Sequence, residues 1–144
     1  MKTYARIVAA ALLLLPGWAA AQVRRPAGGG ARVDQTTKVI NDCESRTNSF
    51  KRKVRLKARG DAPNLQRDAD NLEEAMNKVG DSWNKDHDLQ KTRAFVMAAI
   101  TSSQTINRFM ISYRGDPGLS NDWAEVKTEL NALALQFKLP PIRW

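Results

Sequence analysis

The longest run of helical patterning lies in residues 89–113. There Leu89, Thr92, Val96, Ala99, Ser103, Ile106, Met110 and Tyr113 recur at alternating steps of three and four. That period stacks them on one face of an α-helix, as a seam for another helix to pack against. Phe95, Ile100 and Phe109 stand beside the stripe and widen it, the pattern of a helix with neighbours on two sides. Such a helix is about 37 Å long at a rise of about 1.5 Å per residue, so its partners must be long too.

Three further stripes supply them. Residues 34–59 carry Thr36, Ile40, Cys43, Thr47, Phe50 and Val54, with Asp34 as the predicted N-cap and Gly60 as the stop. Residues 62–84 carry Leu65, Ala69, Leu72, Met76, Val79 and Trp83 and open at Asp61, with Pro63 tolerated in the first turn. The third helix is placed at 88–114, capped by Asp86 or Asp88. Residues 113–119 read as a turn from their Gly and Pro content. The fourth helix is placed at 120–139, carrying Trp123, Val126, Leu130, Leu133 and Phe137 until Pro140-Pro141 end it. Four stripes at coiled-coil spacing, joined by short turns, predict an all-α, up-down-up-down antiparallel four-helix bundle over residues 34–144. No segment reads as a strand.

The residues ahead of the bundle follow different rules. Residues 1–21 have a basic start (Lys2, Arg6), an apolar run at 7–15, the breaker Pro16-Gly17 and the small-residue site Ala19-Ala20-Ala21. This is the layout of a secretory signal peptide cleaved between Ala21 and Gln22. The apolar run is short of the ~20 residues that span a bilayer, and no cysteine stands at the junction to carry a lipid. The expectation is an exported protein, periplasmic or secreted, without a transmembrane segment in its mature form. Residues 22–33, with Arg24, Arg25, Pro26, three consecutive glycines and Arg32, are expected to be a disordered basic leader.

Charge sharpens the picture. The whole chain is +8, and loss of residues 1–21 leaves +6. By segment the balance is +5 for 34–60, −5 for 61–88, +4 for 89–115 with no acid at all, and −1 for 116–144. In a ring of four helices every neighbouring pair would then carry opposite charge, which disfavours wrong pairings even though each exposed pair contributes only about 0–1 kcal/mol.

The densest charge is a run containing Lys51, Arg52, Lys53, Arg55, Lys57 and Arg59. Such a run can grip nucleic acid, anionic lipid or surface glycan by releasing counterions. It can equally pair with Asp68, Asp70, Glu73 and Glu74 on the next helix, and it lacks the aromatic interleaving of single-strand binders. Residues 81–88, with Asp81, Asp86, His87 and Asp88, have some metal-ligand character. They match neither an EF-hand loop nor a transition-metal set, and helix capping accounts for the acids. One histidine cannot supply a di-iron site, and one cysteine cannot supply a c-type haem motif or an intramolecular disulfide. No nucleophile elbow is present, and Glu73-Glu74 sit on a polar helix face where carboxylates stay solvated. Cys43 lies on an apolar stripe and is expected to be buried and inert. Thr47 and Ser103 are polar seam positions whose hydroxyls can bond back to their own helices. The aromatics Phe50, Trp83, Phe95, Trp123 and Phe137 are expected in the core. Arg143 and Trp144 end the chain as a short tail that either folds back as a cap or anchors a partner.

The sequence therefore predicts a non-catalytic binding or structural module of the cell envelope, with no metal or cofactor, acting on a protein or envelope component. The alternative is polyanion binding through the 51–59 run.

Overall fold

Each of the four stripes becomes a helix in the computed structural model, which describes residues 28–58 and 62–144. The helices are α1 (Gly28–Lys57), α2 (Pro63–Asp86), α3 (Leu89–Ser112) and α4 (Pro117–Gln136). No strand occurs among the described residues, and the all-helical architecture is compatible with a helical bundle. The signal segment, leader residues 22–27, Arg59, the stop at Gly60 and the start at Asp61 lie outside the described residues.

The seams sit where the periodicity places them. All six stripe residues of α1, all six of α2, and Trp123, Val126, Leu130, Leu133 and Phe137 at the α4 end are buried. On α3, Thr92, Val96, Ala99, Ser103, Ile106 and Met110 are buried, while Leu89 and Tyr113 are half-buried. Each fully buried large aliphatic or aromatic side chain contributes about 1.5–3 kcal/mol relative to exposure. Phe50 and Trp123 meet across α1 and α4 at 5.2 Å between ring centres, and Trp83 meets Phe137 edge-on at 6.1 Å.

Helix ends differ from the sequence-based expectation in three places. Gly28 to Val33 are not leader but the first turns of α1, and Asp34 lies inside the helix. Once α1 is nucleated on its buried stripe, extending it outward costs only about 1 kcal/mol per glycine. Val33 packs against the core, and the Thr36 and Thr37 hydroxyls donate to the Arg32 and Val33 carbonyls. Helix α4 starts at Pro117 rather than at 120, because Asp116 is its N-cap and accepts from the Leu119 amide at 3.1 Å. Proline's fixed φ and missing N–H suit the first helical position. Helix α4 also ends at Gln136, three residues early. Pro140 disfavours helical backbone at Leu139, and the chain closes in a Schellman-type turn. Lys138 takes a left-handed φ of 54°, with Lys138 N donating to Leu135 O and Leu139 N to Ala134 O. At the α2–α3 turn, Asp88 is the cap, accepting from the Gln90 and Lys91 amides.

The helices form a ring in which α1 packs on α2 and α4, and α2 packs on α1 and α3; across the diagonals the backbones stay apart and only core side chains meet, as Trp83 and Phe137 do. Ion pairs and sulfur contacts aside, one hydrogen bond between uncharged side chains crosses each seam. Trp83 Nε1 donates to Thr37 Oγ1 at 2.9 Å, Ser82 and Thr92 share a bond of 3.0 Å, Trp123 Nε1 donates to Asn107 Oδ1 at 3.1 Å, and Gln136 Nε2 donates to Thr36 Oγ1 at 2.5 Å. The fourth side of the ring is unlike the others: α3 and α4 meet over few positions.

Candidate functional site

Ion pairing follows the same asymmetry. Asp116, Asp122 and Glu125 of the α4 segment pair with Lys57, Lys53 and Arg46 of α1, at 2.9, 2.5 and 2.6 Å. Glu129, the remaining α4 carboxylate, acts on Lys38 of the same helix α1. On the other flank, Lys51 pairs with Glu73 and with Asp70 at 3.2 Å, and Arg55 pairs with Asp70 at 2.9 Å. The α2–α3 turn has Lys91 on Asp86 at 2.6 Å. No ion pair crosses from α3 to α4 among the described residues. The expectation that opposite charges meet across every seam therefore fails at this one: α4 directs its carboxylates at α1, leaving none for the acid-free α3.

This arrangement bears directly on the 51–59 run. Lys51, Lys53, Arg55 and Lys57 each hold a carboxylate partner on α2 or at the α4 end. Arg52 is exposed without an ion pair among the described residues, and Arg59 lies outside them. The pairing also shows in protonation. The Glu73 hydrogen bond raises Lys51 above its ordinary value, and the Lys57 bond holds the Asp116 carboxyl below its own.

Arg93, Arg108, Lys127 and Arg143 have no carboxylate partner among the described residues, as is also true of Arg32, Lys85, Arg114 and Lys138 elsewhere on the surface. The first four belong to α3, α4 and the tail, and they border the one loosely packed seam. Helix α3 carries a further stripe there, Arg93, Met97, Ile100, Gln104, Arg108 and Ile111, again at steps of three and four. Met97 is 53% and Ile111 65% exposed. Met97, Ile100, Thr101 and Gln104 form one wall of a groove of about 530 Å³, whose other wall is Leu139, Pro140, Pro141, Ile142 and Arg143. A smaller depression of about 190 Å³, between Asn107, Met110 and Ile111 on α3 and Ser120, Trp123 and Lys127 on α4, lies on the same seam.

The tail is part of this site. After the Lys138 turn it runs back beside α4, with Ile142 N donating to Asn131 Oδ1 at 3.0 Å. Trp144 meets Trp123 edge-on at 6.0 Å, and the Lys127 ammonium lies over its ring at 5.8 Å. Trp144 thus docks along the α3–α4 side of the molecule, half-buried, its Nε1 shielded from water without a hydrogen-bond partner. Arg143 remains exposed in the groove wall.

The other candidates have structural duties. Asp88 caps α3, Asp86 holds Lys91, and His87 closes α2 in a left-handed conformation with its ring 5.2 Å from Trp83. Cys43 is buried; loss of solvent pushes its thiol pKa up, and Sγ lies 3.8 Å from Met76 Sδ. Ser103 bonds back to Ile100 O as expected, whereas the Thr47 hydroxyl is buried with no hydrogen-bond partner. Phe95 departs from the core expectation: it is 39% exposed, on the α2–α3 rim beside Lys78 and Lys91. It lies on the flank of the stripe opposite Ile100, where lysine stems cover an aromatic ring only in part.

No family model, no curated protein and no solved structure matches the chain.

Proposed function

We propose that the protein is an exported, non-catalytic binding module of the cell envelope, and that its binding surface is the α3–α4 seam. The observation that carries this reading is the α3–α4 seam, the one side of the ring where the helices meet over few positions, which presents an apolar groove edged by unpaired cations, whereas the depression of about 580 Å³ on the α2–α3 rim is lined, Phe95 apart, by charged and polar side chains. Monomeric proteins rarely leave contiguous apolar surface uncovered without an interaction to cover it. The up-down-up-down antiparallel course belongs to the same proposal. It is supported by cross-helix pairs that step in opposite directions, Cys43 with Met76 and Arg55 with Asp70, and by the short turns. Export rests on the 1–21 segment alone; no helix among the described residues is long and apolar enough to cross a membrane.

Site-specific photo-crosslinking in the native cell tests the reading. A photoreactive residue at Met97 or Ile111 is expected to trap a discrete extracytoplasmic adduct, and one at Leu56, exposed on α1, is not. Equal trapping at Leu56, or none at either seam position, overturns the proposal. Mass spectrometry of the same purified material is expected to find an N-terminus at Gln22.

A further inference from the structure

The chemistry of the seam narrows its occupant, provided that it is a binding surface at all. We infer that it takes an acidic amphipathic helix of a partner protein. Three features point there together. The first is length: Met97 to Ile111 is four turns of α3, about 21 Å at 1.5 Å per residue. Both depressions lie along that line, so the site is elongated parallel to a helix axis. The second is apolar character. Met97, Ile100, Leu139, Pro140, Pro141 and Ile142 line the groove walls, Met97 with 53% of its surface open to solvent. Concave walls suit the i, i+3, i+4, i+7 anchors of a helix in a groove; a flat lipid surface would need apolar groups on a convex rim. The third is charge. Arg93 and Arg108 share the face of Met97, Ile100 and Ile111, and Arg143 is in the opposite wall. Residues 89–115 contain no acid that would pair with or repel anything.

Guanidinium groups without partners at the border of an apolar channel favour carboxylates placed beside aliphatic anchors, through bidentate, charge-assisted hydrogen bonds. A sulfated or phosphorylated polymer would satisfy the arginines and leave the apolar walls unused. A neutral or basic helix would fill the walls and leave the cations unpaired or repelled. Only an acidic amphipathic segment answers both.

The test is selection from a phage-displayed library of random peptides about 18 residues long, a length set by helix-in-groove recognition, on the immobilised processed protein. A Met97→Glu/Ile111→Glu variant serves for counter-selection; both side chains are exposed, so the fold is retained. The expected outcome is a pool rich in Asp and Glu, with Leu, Ile, Met or Phe at steps of three and four. A synthetic consensus peptide is expected to bind at least about tenfold more weakly to an Arg93→Gln/Arg108→Gln/Arg143→Gln variant, and to weaken with salt, because exposed charges are screened within about 8 Å at physiological ionic strength. Neutral or basic peptides that bind the wild type, ignore the arginine changes and are lost on Met97→Glu/Ile111→Glu would overturn the acidic partner and leave the seam intact as a binding surface. No enrichment, or equal enrichment on the counter-selection variant, overturns both. Heparin and phosphatidylglycerol vesicles are run in parallel. Arginine-dependent binding to either, without peptide binding, assigns the cations to an anionic polymer or lipid surface and overturns the inference.

Discussion

Thr47→Val is expected to stabilise the protein, although it removes a polar group from a helix. Thr47 is 1% exposed, in the middle of the α1 seam, and its hydroxyl has no oxygen or nitrogen partner, the Cys43 sulfur being the one polar group near enough to act on it. Valine has the same branched shape and nearly the same helix propensity, so the substitution isolates the hydroxyl. A buried hydroxyl without a partner costs about 1–3 kcal/mol in mutational data. The Cys43 sulfur, one turn back on the same face, is a weak acceptor at best and reduces that cost only a little. The expected gain is therefore about 1–2 kcal/mol, or roughly 4 °C in Tm per kcal/mol for a domain of this size.

Urea unfolding followed by far-UV circular dichroism measures it, as a higher midpoint at unchanged m. Two controls fix the interpretation. Thr47→Ala relieves the same hydroxyl but also removes a methyl group, which costs about 1 kcal/mol plus a cavity penalty, so it should fall near or below wild type. Ser103→Ala should stay within about 0.5 kcal/mol, since that hydroxyl is already bonded to Ile100 O at 2.6 Å. Coupling between Thr47→Val and Cys43→Ala should stay under about 0.5 kcal/mol. A Thr47→Val protein less stable than wild type, with strong coupling to Cys43, would mean that the hydroxyl and thiol hold each other, and the reasoning fails.

Other perturbations read the charge pattern. Lys53→Met strands Asp122, whose side chain is 16% exposed and whose Oδ2 is already unpaired. It should cost about 1–2 kcal/mol, less than a fully buried pair because Lys53 is partly solvated, and adding Asp122→Asn should recover most of it; no recovery in chemical unfolding would deny the pairing. Gly80→Ala places a methyl group against the Glu44 carboxylate. That carboxylate is the free end of a flexible side chain, so the gain in helix propensity, about 0.5–1 kcal/mol, should win, and destabilisation by more than that would show that Glu44 is held in place. Stability should also fall steeply with acid. The Lys91 bond lowers Asp86 and the Lys57 bond lowers Asp116; burial opposes the shift at Asp70, but its bonds to Lys51 and Arg55 prevail. Each then binds protons more weakly folded than unfolded, so its contribution is present above the ordinary value of 3.8 and is lost as pH falls through the lowered one. Glu44 has the opposite sign. Burial and Asp81 raise it above 4.5, so it costs stability as pH rises past that point, and Glu44→Gln should flatten only this upper limb. Urea midpoints across pH check both limbs; a steady decline from neutral pH that Glu44→Gln leaves unchanged would refute the assignment.

What can be read in the chain follows from which interactions are local. The seam residues of α1, α2 and α4 are legible because period 3.6 is a property of one helix alone, and burial follows when any partner covers the face. A cap at Asp86 or Asp88 is legible for the same local reason, and the structure selects Asp88. Pro117 reads as turn punctuation, yet proline is equally at home in a first helical turn. Only the Asp116 side chain on the Leu119 amide decides between the two. Phe95 escapes the pattern because apolar flanks of a stripe are alike until the neighbour's side chains are known.

Charge shows the limit most clearly. The basic density of 51–59 is visible in the sequence, and so is the acid-free composition of 89–115. By density alone, the 51–59 run is the surface with charge to offer a ligand, and the 89–115 segment is one member of a pairing code. The structure pairs four cations of the first with carboxylates and leaves Arg93 and Arg108 of the second without one among the described residues. A basic run one helix away from two acid-bearing helices draws carboxylates from both sides, as Lys51 and Lys53 do on opposite flanks of α1. Helix α3 is sparsely charged, but α4 turns its acids toward α1, so Arg93 and Arg108 of α3 and Arg143 of the tail are left without a carboxylate among the described residues, while Lys91 takes its own at the α2–α3 turn. Local density of charge is thus a poor guide to availability. What matters is the direction in which the opposite charges of neighbouring helices face, a relation between distant residues that no window of sequence contains. In this protein the α3–α4 seam is the side that no ion pair crosses among the described residues, and it is there that an apolar groove and Arg143 in its wall lie together.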